Sequence, residues 1–407
     1  MKQPEAVDLA DPVLHETDGV DRVFDELRRR SGLYWNAERD APGFWAVTRY
    51  RDATAVCRDT TSFTSTHGTL LTSYRSEGEP GAGRMLVMTD PPRHGQLRSV
   101  LNRLFTPRMI GRLGRRLEVE VRGLVEAALD AGRCDFVADI AAQVPVALIS
   151  ELMGVPPEDR ELMHRYTSAA FSSTGPLHRS DMAGRVSAAA AHAALIAYCC
   201  ELVAARRREP RDDLVSILAT ARIDGAPLSD EEILVNCDNL IVGGNETVRH
   251  AASGGLLALL EHPGQFARLR AEPGLLDTAV EEILRWTTPG MHILRTASAD
   301  VTVSGQRIRR GEQAVVWIVS ANRDDEAFER AGSFDVSRSP NRHLTFGIGE
   351  HYCLGAALAR LELRVLFRLL CSPALTMERS GPARRLRSTV ARGLRELPIL
   401  LSGSIDP

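Results

Sequence analysis

One cysteine set among glycines carries the most specific chemistry in the chain. In His343-Leu-Thr-Phe346-Gly347-Ile-Gly349-Glu-His351-Tyr-Cys353-Leu-Gly355, a glycine-softened extended segment delivers Cys353 to the start of a helix. Leu354, Leu358, Leu361, Val365 and Leu369 then recur at helical spacing, which predicts a buried amphipathic helix. Unpaired N–H groups and the positive end of that helix favour a thiolate at Cys353. Gly347, Gly349 and Gly355 remove side chains where a flat, bulky group would approach the backbone, and Phe346 adds an aromatic face. A lone thiolate so placed suits one axial position on haem iron, where it pushes electron density toward O–O cleavage. The plainer alternative is a free cysteine in a strand–turn–helix.

Three further groupings could cooperate with it. Val242-Gly243-Gly244-Asn245-Glu246-Thr247 puts a carboxylate and a hydroxyl directly after two glycines inside a helical pattern. Together those glycines cost a helix about 2 kcal/mol. Either close helix–helix packing or a local opening of the helix that admits a diatomic ligand would offset that cost. In the second case Glu246 and Thr247 relay protons. His94 and Arg98 lie four apart on one helical face, as solvated cations or as donors to an anion. Glu282 and Arg285 stand at i and i+3, the spacing of an ordinary helical ion pair.

Phe346-Gly347-x-Gly349-x-His351-x-Cys353-x-Gly355 resembles the haem-ligand signature of the cytochrome P-450 family. The resemblance extends to the oxygen-binding helix, with Gly243, Glu246 and Thr247 in order; Val248 replaces the common second threonine, and the acid–alcohol pair is intact. It implies a mainly α (α+β) fold, one haem domain over residues 1–407, a long central helix and small β-sheets; residues 1–18 read as a tail that is loose or ordered on docking. It further implies haem b with Cys353 as axial ligand, His94, Arg98, Arg295 and His351 at the haem propionates, and a Glu282–Arg285–Arg338 cluster bracing the cysteine loop. The implied reaction is O2 activation and oxidation of a small organic substrate, in the manner of bacterial secondary metabolism. Electrons would come from NAD(P)H through a ferredoxin or flavodoxin and its reductase, docked on a local basic face of Arg98, Arg103, Arg108 and Arg360. A peroxide-driven peroxygenase and a haem-binding scaffold without turnover remain alternatives.

These residues need elements to hold them. Ser229-Asp-Glu-Glu232 is a capping box and His262-Pro263 a stop, which together define a helix of about 34 residues, roughly 50 Å long. On it Asn239, Gly243 and Thr247 recur at i, i+4 and i+8 and share a face. Asn239 therefore faces a substrate, or is satisfied by a neighbouring helix or water. Met291-His-Ile-Leu-Arg295-Thr alternates as a strand, which puts Met291 and Ile293 on the Arg295 face, bordering the pocket. Asp90-Pro91-Pro92 opens the His94 helix. The Gly/Ser/Thr-rich segment from Phe63 to Met88 reads as a roof. A break at Ser172–Gly175 separates two lid helices, Cys199 and Cys200 lie in the core, and a final hairpin within 372–401 reaches toward the pocket.

Composition bounds the rest. The chain has 407 residues, 44% hydrophobic and 25% charged, with a net charge of -3. That is globular and gives no electrostatic reason to expect nucleic acid. Seven cysteines without framework spacing suggest reduced thiols and a cytoplasmic location. No CxxC or HExxH motif points to zinc. A polar, acidic N-terminus predicts neither signal peptide nor membrane anchor, and a monomer is expected.

Overall fold

The computed structural model describes residues 7–17, 19–30, 32–38, 42–71, 81–171 and 182–405. The Ser172–Gly175 break, taken as part of a lid, lies outside the described residues. A helical layer and a small β region divide the chain, as the sequence predicts. The largest apolar core runs through the helical layer, and two smaller cores lie under the sheet.

The central helix spans Asp230–Glu261. The Ser229 and Glu232 capping box closes its start, and His262 caps its end. It is helical throughout Gly243 and Gly244, with no local opening. The two glycines do different work. A Cβ on Gly244 would stand 2.5 Å from Ile149 Cδ1 of the Gln143–Met153 helix, whereas a Cβ on Gly243 would meet nothing within 4 Å. Close packing explains Gly244, and open space beside the helix explains Gly243.

The five-stranded sheet runs Tyr34–Asn36, Phe44–Val47, Gln313–Trp317, His292–Ala297 and Phe63–Thr64 in spatial order. The N-terminal segment is docked on it from residue 7 on, so the tail is ordered there rather than loose. Leu9 is fully buried and its N–H donates to Asn36 Oδ1 at 2.8 Å, while Tyr34 Oη donates to the Val7 carbonyl. An apolar residue that close to a sheet end gains more from burial than the short segment loses in entropy.

His292 ties three segments together. Its Nε2 accepts from Leu71 N–H at 2.9 Å and its Nδ1 donates to the Thr389 carbonyl at 3.0 Å. Burial is the main reason its pKa falls to about 4. The unfolded chain therefore binds the proton first. The clasp contributes fully above about pH 6.5, and up to about 3 kcal/mol is lost as pH falls from there toward 4. Denaturant melts at pH 7.5 and 5 should show this loss in the wild type, and His292→Gln should flatten it.

Two readings of the helices need correction. Cys199 is buried but Cys200 is exposed. The helix after the cysteine, Ala356–Leu370, buries Leu363, Leu366, Phe367 and Leu370 most completely, beside the Leu358, Val365 and Leu369 stripe. It is enclosed over more of its circumference than one amphipathic face. Among the described residues, Phe136–Met153 and Ala189–Arg208 are long and apolar enough to cross a membrane. The first is two-thirds buried inside the fold and packs as core.

Candidate active site

A cavity of about 330 Å3, partly open to solvent, lies between the central helix and the cysteine loop. Asn239, Gly243 and Thr247 line it from one wall, and Phe346, His351, Cys353 and Gly355 from the other. The i, i+4, i+8 reading of the helix thus places its three residues on one cavity wall.

The cysteine loop is shaped by its own backbone. Gly347 and Gly349 have φ of 68° and 81°, where an L side chain is strained. A Cβ on Gly349 would also press on the Cys57 carbonyl at 3.2 Å. The Cys353 N–H donates to the Phe346 carbonyl at 2.8 Å. Burial raises the thiol pKa, while the Gly355 N–H, Arg98 and Arg360 oppose that rise. Cys57, Cys134, Cys199, Cys237 and Cys371 are raised chiefly by burial, and none of them lines the cavity.

A cationic corner adjoins the thiol. The His94 and His351 rings lie 4.2 Å apart. His351 Nε2 is 3.3 Å from Ser65 Oγ, and Arg98 Nη1 donates to the Glu350 carbonyl at 3.2 Å. Arg295 is almost fully buried and donates to the Leu294 carbonyl. Burial, then Arg295, His94 and Arg98, press the His351 pKa down to about 3. His94 Nε2 is buried without a hydrogen-bond partner. Two arginines and two imidazoles converging on an orphaned donor leave room for an anion.

Behind the loop, Glu282 and Arg285 are both fully buried. Arg285 Nη2 and Nε reach the two Glu282 oxygens at 2.7 and 2.8 Å, and Arg338 Nε reaches Oε2 at 3.0 Å. Asn341 Nδ2 and the Asp335 N–H complete the carboxylate. Arg285 and Arg338 also donate to the carbonyls of Asn322, Glu329, Ala331 and Ser333. This pair, read from spacing alone as surface, is the most completely hydrogen-bonded buried charge in the chain's described core.

Several expectations shift. Met291 and Ile293 do not line the cavity; Pro289 and Gly290 border it there. The strand begins only at His292, so alternation does not extend to Met291, which packs with Leu71 and Trp317 in a separate core. Ile293 lies beneath the cysteine loop, near Gly347. No residue of the C-terminal strands lines the cavity. Arg360 holds Glu281 through both oxygens at 2.7 and 2.9 Å and stacks on Phe346, so it braces the loop rather than presenting a free charge. Arg103 is exposed, and the Arg108 side chain lies outside the described residues. Glu246 turns from the cavity: its Oε2 accepts from Arg249 Nη2 at 2.7 Å and lies 3.3 Å from His250 Nε2. Thr247 Oγ1 donates to the Gly243 carbonyl at 2.7 Å.

Sequence reasoning passed over Asn236, whose Oδ1 accepts from Leu86 N–H while its Nδ2 donates to the Arg84 carbonyl. That amide pins the roof segment, from which Leu86 and Val87 line the cavity. Ser65 was missed as well, although the Asp90 carboxylate holds its N–H at 3.0 Å. A polar residue one helical turn from the capping box was the only signal for Asn236.

A single cysteine at the mouth of a helix, under a long helix that bears a hydroxyl, defines a haem-thiolate protein. Residues 189–372 match the family description "Cytochrome P450". Cytochrome P450 NovI of Streptomyces niveus is 40% identical over 400 residues, covering 98% of this chain and 97% of that protein. Linalool 8-monooxygenase of Pseudomonas putida is 33% identical, covering 98% and 99%. The crystal structure of P450 OxyD, involved in the biosynthesis of vancomycin-type antibiotics, superposes with a TM-score of 0.89 at 37% identity, covering 98% and 100%. The chain belongs to the cytochrome P450 family and is a monooxygenase of the P450 fold.

The residues present fit the family's haem. The orphaned His94 Nε2, the donors Arg98, Arg295 and His351 beside it, and the open space at the Gly355 Cα form a cradle for a flat anion-bearing group. Cys353 offers the axial sulfur. When bound, that group supplies the reductive activation of O2 and the oxygen atom transfer.

Proposed function

We propose that this chain oxidises a small, polar organic metabolite in natural-product biosynthesis, with electrons from a separate ferredoxin or flavodoxin and its reductase. The observation that carries this reading is the single cavity on which Cys353, Thr247 and Asn239 converge. Family membership and similarity to NovI and OxyD support the biosynthetic setting. The protein is taken to act in solution in the cytoplasm.

Cys353 would hold the iron, and His94, Arg98, Arg295 and His351 would neutralise the propionates. Thr247 presents a hydroxyl to the cavity, and Glu246 resupplies its proton after leaving Arg249. The apolar walls of Leu86, Val87, Ile149, Leu152 and Leu240 exclude water from the reacting carbon. The intact acid–alcohol pair favours O2 over a peroxide-driven cycle.

Asn239 orients the substrate. Asn236 and Asn245 on the same helix bond to backbone carbonyls, whereas among the described residues no hydrogen bond engages the Asn239 amide, which lines the cavity. A polar group on the substrate would satisfy it. Asn239→Leu should weaken substrate binding by about 1–3 kcal/mol and leave the CO spectrum unchanged. Equal affinity in both haem-loaded proteins refutes this role. The function itself is tested by difference spectra over a panel of oxygenated and nitrogenous metabolites. Each spectral hit is then incubated with a ferredoxin, its reductase and NADPH, or with peroxide alone. Product only in the first arm is expected; product only with peroxide overturns the reading.

A further inference from the structure

A second cavity, polar and small at about 50 Å3, lies along the C-terminal half of the central helix. His250, Glu261, Trp286, Arg323, Arg385 and Arg392 line it. His250 is fully buried, and neither ring nitrogen has a hydrogen bond of good geometry. A buried imidazole with two unsatisfied nitrogens costs stability, so packing alone is a poor reason for it.

The placement of those nitrogens is informative. Nε2 stands 3.3 Å from Glu246 Oε2. Nδ1 turns to the other side, against Gly393, where a Cβ would stand 2.0 Å away. Only a residue without a side chain lets the ring occupy this slot between Glu246 and the polar cavity. Glu246, the acid of the proton relay, is itself tied to Arg249 and absent from the lining of the substrate cavity. Its polar neighbours lead toward the second cavity.

We infer that His250 is a positioning residue that conducts protons from the second cavity to Glu246. A water that reaches Nδ1 from that cavity as the Gly393 segment gives way passes it a proton, while the Nε2 proton passes to the Glu246 carboxylate. One proton enters the ring, one leaves, and no electron moves; the hydroxide is reprotonated by solvent. The ring is left as its Nδ1–H tautomer and returns to the Nε2–H form by proton exchange with water between turnovers. The ring faces Glu246 and Arg249 on its own helix, which also brings Glu261 to the cavity, with Arg323, Arg385 and Arg392 lining it from other segments. Asp21 offsets part of that charge through Arg392 at 2.8 and 2.9 Å. Burial, with Arg249, lowers the His250 pKa against the pull of Glu246. A neutral ring, with one donor and one acceptor, is the form a relay requires.

The inference rests on the acid–alcohol reading above, and the test separates the two. The probe is NADPH-driven O2 reduction by the substrate-free holoenzyme with a ferredoxin and its reductase. His250→Phe, His250→Gln and Glu246→Gln should each slow it about 10-fold and raise the solvent deuterium isotope effect, with wild-type CO spectra. If the His250 variants match the wild type while Glu246→Gln is slow, the conduit is wrong and the acid relay stands. If Glu246→Gln also matches the wild type, both fall. Two readouts do not depend on turnover. In the ferrous CO form, 15N spectra should show a neutral His250 with its proton on Nε2; an imidazolium or the Nδ1–H form overturns the inference. His250→Phe should melt close to the wild type, because Arg249 keeps its hold on the Glu246 oxygen that the ring approaches; a large drop assigns His250 to structure.

Discussion

Cys353→Ser will abolish the red-shifted Soret band of the reduced CO complex and lower turnover about 1000-fold, which is about 4 kcal/mol of barrier. The hydroxyl is nearly isosteric, so the loop should keep its shape: the Cys353 N–H bond to Phe346 and the positive φ of Gly347 and Gly349 do not involve sulfur. What goes is a soft anion able to bind iron and donate electron density to it. No other cysteine can substitute, since the buried ones lie off the cavity. Survival of the red-shifted band in the serine variant would disprove the axial assignment.

Arg285→Met will destabilise the protein by about 3–5 kcal/mol and release haem on mild heating. Removing the guanidinium leaves Glu282 fully buried with one arginine instead of two and strands the carbonyls of Asn322 and Ala331. Those carbonyls belong to the segment leading toward the cysteine loop; Asn322 itself reaches Leu344 and Thr345. Damage there should propagate to Cys353. The paired change Glu282→Leu with Arg285→Met should recover part of the stability, because the fully buried carboxylate is gone and Arg338 keeps the Glu329 and Ser333 carbonyls. A single variant that melts with the wild type would show that the cluster is dispensable.

What the sequence disclosed follows from how local each cause is. The capping box and the Gly243 face are set within a few residues, and each is found where its spacing puts it. Burial of Glu282 and Arg285 is not local. The same i, i+3 spacing serves a surface pair, and only family resemblance pointed inward. Met291 failed because alternation holds only inside a strand, and the chain turns at Gly290. Glu246 failed as a cavity residue because adjacent helical positions point about 100° apart; sharing a motif with Thr247 does not mean sharing a wall. Leu9 and Asn236 were missed because their partners are distant in the chain.

Anyone reshaping this cavity for another substrate would find residue 244 a fixed point. Even a methyl group there would stand 2.5 Å from Ile149 Cδ1, and the two helices would have to part. Because the cavity lies between those helices and Cys353, parting them changes the height of the chamber rather than its lining. Trimming Ile149 alongside would relieve the clash but hollow the wall it forms. Val87 and Leu240 line the same cavity outside this contact, so diversification at those positions can change which molecule is admitted while the Gly244 contact keeps the two helices at their spacing.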